Sequence, residues 1–156
     1  GALDELGVGP EDVALCQASA GGDLLFLEAC LARGVRCEIH LPAPEAQFLE
    51  WSVLPSAHGE QWRRRYYEVT SAAQVTVRVM EQALGPLAAQ ESPFVRCNLW
   101  LLYSALACGI ERVRFVCLWD GQGGDGPGGT AHMYSEVKRR TGRVHWIDAR
   151  SLGDAM

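Results

Sequence analysis

The sequence predicts an α/β protein, a three-layer α/β/α sandwich around a mostly parallel sheet of five or more strands. Two observations predict it. Strand-like and helix-like segments alternate in the order β-α-β-α-α-β-α-β-α-β, the pattern of parallel strands joined by crossover helices. One helical segment, NLWLLYSALAC, is apolar on nearly every side, so it must be covered from more than one direction. A length of 156 residues, 48% hydrophobic and 21% charged, describes a single soluble globular domain over residues 1–156 with room for a proper core.

The chain opens on GALDELGVGP, which reads as the last turns of a helix with nothing in front of it. The expectation is of a preceding strand and loop that are cut off, disordered or renumbered away. Val13 to Cys16 is a short apolar strand, and LLFLEACLARG after SAGGD has helical spacing with Arg33 and Gly34 at its stop. Val35 to Pro42 is a strand closed by proline. Pro44 to Val53 and Glu60 to Ser71 are helical pieces around a break at Pro55 to Gly59, and the alternating Gln74 to Met80 is a strand. Ser92-Pro93 pairs a capping residue with proline at the first helical position, and that helix runs to Cys108 with Gly109 as its stop. Arg112 to Trp119 is a strand. A helix from about Thr130 to Arg140 carries three basic residues in its last turn, where they complement the helix dipole, and Gly142 to Ile147 is the final strand.

Charge removes several functions. A net charge of −5 and a pI near 5.3 argue against a nucleic-acid or membrane-surface binder, and the one basic run, Arg63 to Arg65, reads as a solvated helix face. The apolar run Leu99 to Cys108 is too short to span a membrane, and the N-terminus shows no signal peptide. Cys16, Cys30, Cys37, Cys97, Cys108 and Cys117 form no C-x-x-C pair. They read as reduced core thiols of a cytoplasmic protein, with no metal site and no cofactor.

Chemistry is expected at the carboxyl ends of the strands, where open Rossmann-like sheets bind ligands. Two loops there are rich in glycine. Ser19-Ala20-Gly21-Gly22-Asp23 opens the first crossover helix, and WDGQGGDGPGGT, Trp119 to Thr130, holds six glycines in twelve residues. Both place free backbone N–H groups and the positive end of a helix dipole toward an expected common crevice, which suits a phosphate or other anion. The first loop reads equally well as a tight turn capped by Asp23; the second is longer than a bare connection needs. The candidate ligand-binding residues are Ser19, Gly21, Gly22, Asp23, Trp119, Asp120, Gly124, Asp125, Gly128, Gly129, Thr130 and His132.

The carboxylates Asp23, Asp120 and Asp125 suit ribose hydroxyls better than a polyphosphate, and neither loop has the lysine of a P-loop. His132, in the first turn of its helix, is either an exposed helix residue or a ligand contact. His40 and His145 read as structural and His58 as loop. Asn98 and Trp100 read as core or supporting residues, and Trp119 as core or as a face on which a base stacks. Glu28 reads as a solvated carboxylate, with a glycosidase-type role as the alternative.

A strand followed by Gly21-Gly22, and later a strand followed by Pro127-Gly128-Gly129-Thr130, resembles the SLOG superfamily, which includes the LOG-type phosphoribohydrolases and Rossmann-like nucleotide-sensing domains. Its second motif is similar to P-G-G-x-G-T-x-x-E and is shortened here to GPGGTAHM. ASAGGDLLFLEACLARG, the HLP strand end, NLWLLYSAL and WDGQGGDGPGGT together resemble an uncharacterised C-terminal domain of bacterial multidomain signalling proteins that carry tetratricopeptide, TRAFs-binding-like or cyclase modules. The resemblance implies a nucleotide crevice. The glutamate of the LOG motif has no counterpart at its offset after Thr130, where Ser135 and Glu136 fall out of register, and no matching catalytic arginine can be placed.

Three functions follow as expectations: a module that senses a nucleotide or nucleotide derivative, a nucleotide N-glycosidase with Asp23, Asp120 or Asp125 at its centre, and an interaction domain with a degenerate crevice. The expected partners are a nucleotide-like small molecule and neighbouring domains, with homodimerisation open and the catalytic residues, if any, unassigned.

Overall fold

A computed structural model describes residues 1–123 and 126–155 and divides the chain into two compact units, Gly1–Leu87 and Ala88–Met156. The first unit runs α1 (Ala2–Glu5), β1 (Val13–Cys16), α2 (Gly22–Leu31), β2 (Arg36–Leu41), α3 (Glu45–Ser52), α4 (Gly59–Thr70), β3 (Val75–Val79) and α5 (Met80–Leu84). The second runs α6 (Pro93–Leu106), a 3-10 turn at Ile110–Arg112, β4 (Val116–Trp119), α7 (Thr130–Thr141), β5 (His145–Asp148) and a 3-10 stretch at Ala149–Ala155. The mixture of helices and parallel strands is the one the sequence predicts. The five strands pair as three and two: β1-β2-β3 in the first unit and β4-β5 in the second, all parallel.

In the first unit, strand order equals chain order, so right-handed crossovers place α2 and α4 on the same face, where the two helices touch. The strand register puts Ala14, Cys16, Cys37, Ile39 and Leu41 on one face, and all five are buried. Leu24, Leu27 and Cys30 of α2 and Tyr66 and Val69 of α4 are buried too. Phe48 of α3 lies with its ring centroid 6.2 Å from that of Tyr66, and the Tyr66 hydroxyl donates to Glu45 Oε2 at 3.0 Å. On the opposite face His40, fully buried, has Nε2 2.7 Å from Glu38 Oε1, which also accepts from Arg78 at 3.0 Å. Burial is what lowers the His40 pKa, against the pull of Glu38.

The basic run is only partly a solvated face. Arg65 makes a two-pronged pair with Glu28, with Nε 2.7 Å from Oε1, and stacks over Trp62, while Arg63 pairs with Glu60 at 2.6 Å. Glu28 is thereby an ion-pair partner and not an isolated carboxylate.

In the second unit every residue of α6 as far as Leu102 is buried or half-buried, and Tyr103 is where the helix meets solvent, its hydroxyl accepting from Arg140 at 3.0 Å. Of the apolar stretch Leu99–Cys108, Leu99 to Leu102 are buried or half-buried as expected, whereas Tyr103, Ala107 and Cys108 are exposed. Ser92 caps it by accepting from Val95 N–H, with Pro93 at the first position as the sequence predicts.

All six cysteines are free thiols, five buried and Cys108 exposed. Burial raises Cys30 to about 12 and Cys37 and Cys117 to about 11. Among the described residues no helix is long and apolar enough to cross a membrane.

Phe48→Ala is expected to lower the unfolding free energy by about 3–5 kcal/mol in urea denaturation, the cost of emptying a fully buried aromatic site. Glu28→Gln, in a pair about a third exposed, should cost no more than about 1 kcal/mol.

Candidate functional site

The two glycine loops belong to different units. In the first unit, β1 ends at Cys16 and the backbone turns through Ala18 (φ 75°) and Gly21 (φ 92°) into α2. The loop's own donors find partners in the protein. Ser19 N–H donates to Asp23 Oδ2 at 3.0 Å, and Ala20 N–H donates to the Ser52 carbonyl at the end of α3 at 3.0 Å. Asp23, in the first turn of α2, therefore folds its carboxylate back onto the loop. Burial pushes its pKa up, and hydrogen bonds from Ser19 and Ala18 oppose that rise. The buried Cys16 thiol is raised well above its ordinary value by the same burial, and by the Asp23 charge after it. Of the predicted residues here, Ser19 and Asp23 are in contact, Gly21 is the helix cap and Gly22 the first helical residue.

In the second unit the long connection leaves β4 at Trp119. Asp120 is exposed and its Oδ1 accepts from Gln122 N–H at 2.9 Å. Gly124 and Asp125 lie outside the described residues. The chain then makes a turn closed by Gly129 N–H on the Gly126 carbonyl at 3.2 Å, and α7 starts at Thr130. The cap, Gly129, has no side chain to accept from the helix, and the first intrahelical bond runs from Met133 N–H to the Gly129 carbonyl at 3.2 Å. The amides of Thr130, Ala131 and His132 point out of the helix start, as the geometry of any α-helix requires.

What holds this turn is α6. Gly128 has φ +86°, and a Cβ there would lie 2.4 Å from Phe94 Cβ and 2.7 Å from both Phe94 C and Val95 N. Only glycine allows that approach. Asn98, buried one turn further along α6, donates from Nδ2 to the Gly128 carbonyl at 2.7 Å, and its Nδ2 lies 3.4 Å from His132 Nδ1. Gly128, His132 and Asn98 are thus one cluster. The sequence places Asn98 only as core or support; its bond crosses 30 residues, which no local pattern records.

Trp119 joins a second cluster. Its ring centroid is 5.4 Å from Tyr134 of α7 and 6.0 Å from Trp146 of β5, and its Nε1 donates to the Gln122 carbonyl at 2.8 Å. Trp146, which the sequence does not single out, is 42% exposed. Glu136, out of register for the LOG motif, is occupied by Arg139 and Arg140, which hold its carboxyl below the usual range. Among the described residues no three or more His, Cys, Asp or Glu side chains converge as metal ligands would.

Two expectations follow. Because the folded protein raises the Asp23 pKa above its ordinary 3.8, the protonated form is the better tolerated one. Its contribution to stability is therefore complete below 3.8 and falls as pH rises through the raised value. The stability of wild type relative to Asp23→Asn, followed by urea denaturation across pH, should decline over that window; a difference that is flat or rises is the contrary result. Gly128→Ala should cost about 1–3 kcal/mol by overpacking against α6, with strain at positive φ added to it, and should shift the Asn98 side-chain amide resonances.

No protein-family model matches the chain, and no curated protein or solved structure is significantly similar to it.

Proposed function

We propose that the chain is a Rossmann-like domain that binds a nucleotide or nucleotide derivative at the start of α7 and serves as the sensing module of a bacterial signalling protein. One observation carries this reading. The turn Gly126–Gly129 is held against α6 by Gly128 and Asn98, so the first-turn amides of a 12-residue helix are set in place with a glycine cap in front of them. An anion such as a phosphate gains from both the unpaired donors and the helix dipole. His132, in that same turn, has its Nδ1 3.4 Å from Asn98 Nδ2 and brings an imidazole to the helix start. Asp120, exposed at the end of β4, suits a ribose hydroxyl. Binding requires only these groups, whereas hydrolysis requires a placed acid or nucleophile.

Asp23 favours the second reading, an N-glycosidase, because a carboxyl held above its ordinary pKa can deliver a proton to a leaving base. Its commitment to Ser19 N–H makes it first a loop cap.

Binding of a ligand to the folded state alone raises the melting temperature, by about 2.7 kcal/mol of stability at a hundredfold excess over Kd. A panel of mononucleotides, NAD derivatives and cyclic dinucleotides should contain at least one member that shifts the melting curve, and Gly128→Ala should abolish the shift. No shift from any of them sinks the proposal. Release of free base, lost in Asp23→Asn, would move the assignment to the glycosidase.

A further inference from the structure

We infer that the free edge of β3 is an interaction surface for a second copy of this chain, which pairs antiparallel with it about Val77 and joins two three-stranded sheets into one. The surface lies wholly within the first unit and owes nothing to the nucleotide reading.

The register decides which backbone groups of β3 are already in use. Cys37 stands opposite Val75, Ile39 opposite Val77 and Leu41 opposite Val79, and Cys37 N–H donates to the Gln74 carbonyl at 2.9 Å. The slanted bonds of a parallel ladder run from each β2 residue to the neighbours of the residue opposite it, so Gln74, Thr76, Arg78 and Met80 serve β2. The N–H and C=O groups of Val75, Val77 and Val79 point the other way, to an edge that no strand covers among the described residues. Two of these groups have local partners. Val75 N–H donates to the Ala72 carbonyl at 3.0 Å, and the Val79 carbonyl opens α5 as its N-cap. What remains along the edge is an acceptor at Val75, a donor and an acceptor at Val77, and a donor at Val79.

That order is its own complement. In an antiparallel pair centred on Val77 the two Val77 residues exchange both bonds, and each Val79 N–H donates to the partner's Val75 carbonyl. No group held by the turn or by α5 is asked for a second bond. Sliding the copies by two residues in either direction leaves half of these groups unpaired within β3, and in one direction it sets Arg78 against the partner's Arg78.

The side chains select the same register. Val75, Val77 and Val79 share the helix-covered face with Cys37, Ile39 and Leu41, and Val77 keeps 36% of its surface exposed. Pairing about Val77 sets valine against valine along that face. On the other face Arg78 meets the partner's Thr76, and the partner's Glu38 is next in the same row. The guanidinium, which holds Glu38 of its own chain at 3.0 Å, thus gains a second carboxylate in reach and meets no like charge. Above the sheet, α4 touches both α2 and β3. Arg65 reaches Glu28 of α2, so Tyr67, about 200° further round the helix, stands on the side toward the edge, and it is exposed. The two-fold axis brings the α4 helices antiparallel at two strand spacings, about 10 Å, which is an ordinary helix contact distance. A five-residue ladder alone falls short of the roughly 1,000 Å² that a specific interface buries, and the α4 contact adds to it.

The test is sedimentation equilibrium of the 156-residue chain over a concentration series, for wild type, Val77→Pro, Thr76→Glu and Thr76→Arg, with circular dichroism as the check on folding. Wild type should pass from 17.0 kDa to twice that mass with a Kd of about 100 μM or below. Val77→Pro removes an outward N–H and no bond to β2, and should weaken the dimer about tenfold or more. Thr76→Glu, opposite the partner's Arg78, should tighten it about fivefold, and Thr76→Arg should weaken it about fivefold. Beside Glu38 the two Thr76 changes act on the folded monomer in the opposite sense, so a general stability effect would reverse that order. A chain that stays monomeric up to about 1 mM overturns the inference. So does a dimer that folded Val77→Pro leaves intact, or one that the two Thr76 changes fail to move in opposite directions. If Val77→Pro does not fold, the Thr76 pair decides alone.

Discussion

The second unit is organised by one close approach, that of the Gly128 backbone to the first turn of α6. The distance leaves no room for a Cβ, and the Asn98 amide makes it a bonded contact by donating to the carbonyl of the same residue. Through that point the direction of α7 is tied to α6, and with it the places of His132 in its first turn and Tyr134 in its second. After β4 the Gln122 carbonyl is held by the Trp119 indole nitrogen, and before α7 the Gly128 carbonyl is held by Asn98. Glycine loses much backbone freedom on ordering, and the contact with α6 opposes that cost at Gly128.

The first unit solves a similar local problem in a different way. Its SAGGD loop also leads a strand into a helix through glycine, yet it contains its own acceptor, since Asp23 accepts from the Ser19 amide, and it borrows a carbonyl from Ser52. The two loops look alike in sequence because both answer the same geometric demand at a helix start. They differ chemically because one has an acidic side chain in the helix's first turn and the other has none there.

Much of the chain was legible in advance. The strand at Val13–Cys16 and the helices α3, α4, α6 and α7 fall within a residue or two of where periodicity and capping put them. The differences have local causes. Alternation through Gln74 to Met80 hides that Met80 is already the start of α5, a five-residue helix too short to show a period of its own. The apolar run from Arg112 becomes a strand only at Val116, because Arg112 closes a 3-10 turn and the Arg114 side chain donates to the Glu111 and Val113 carbonyls. Gly142 is the left-handed cap of α7 and not the first residue of β5. The contacts of Asn98 and Trp146 were illegible for another reason. Each acts through a contact about thirty residues distant, and a sequence read by windows sees only a polar residue in a helix and an aromatic one in a strand.

The distribution of thiols has a practical side. Five cysteines are enclosed, and burial holds several of them far from ionisation, while Cys108 stands in solvent just past the end of α6. Since thiol-directed reagents attack the thiolate, a maleimide dye added to the folded chain would settle on that single position. The natural sequence so provides its own attachment point, at the opposite end of α6 from the turn that seats Gly128, and a fluorophore there could report on the helix without any cysteine being removed.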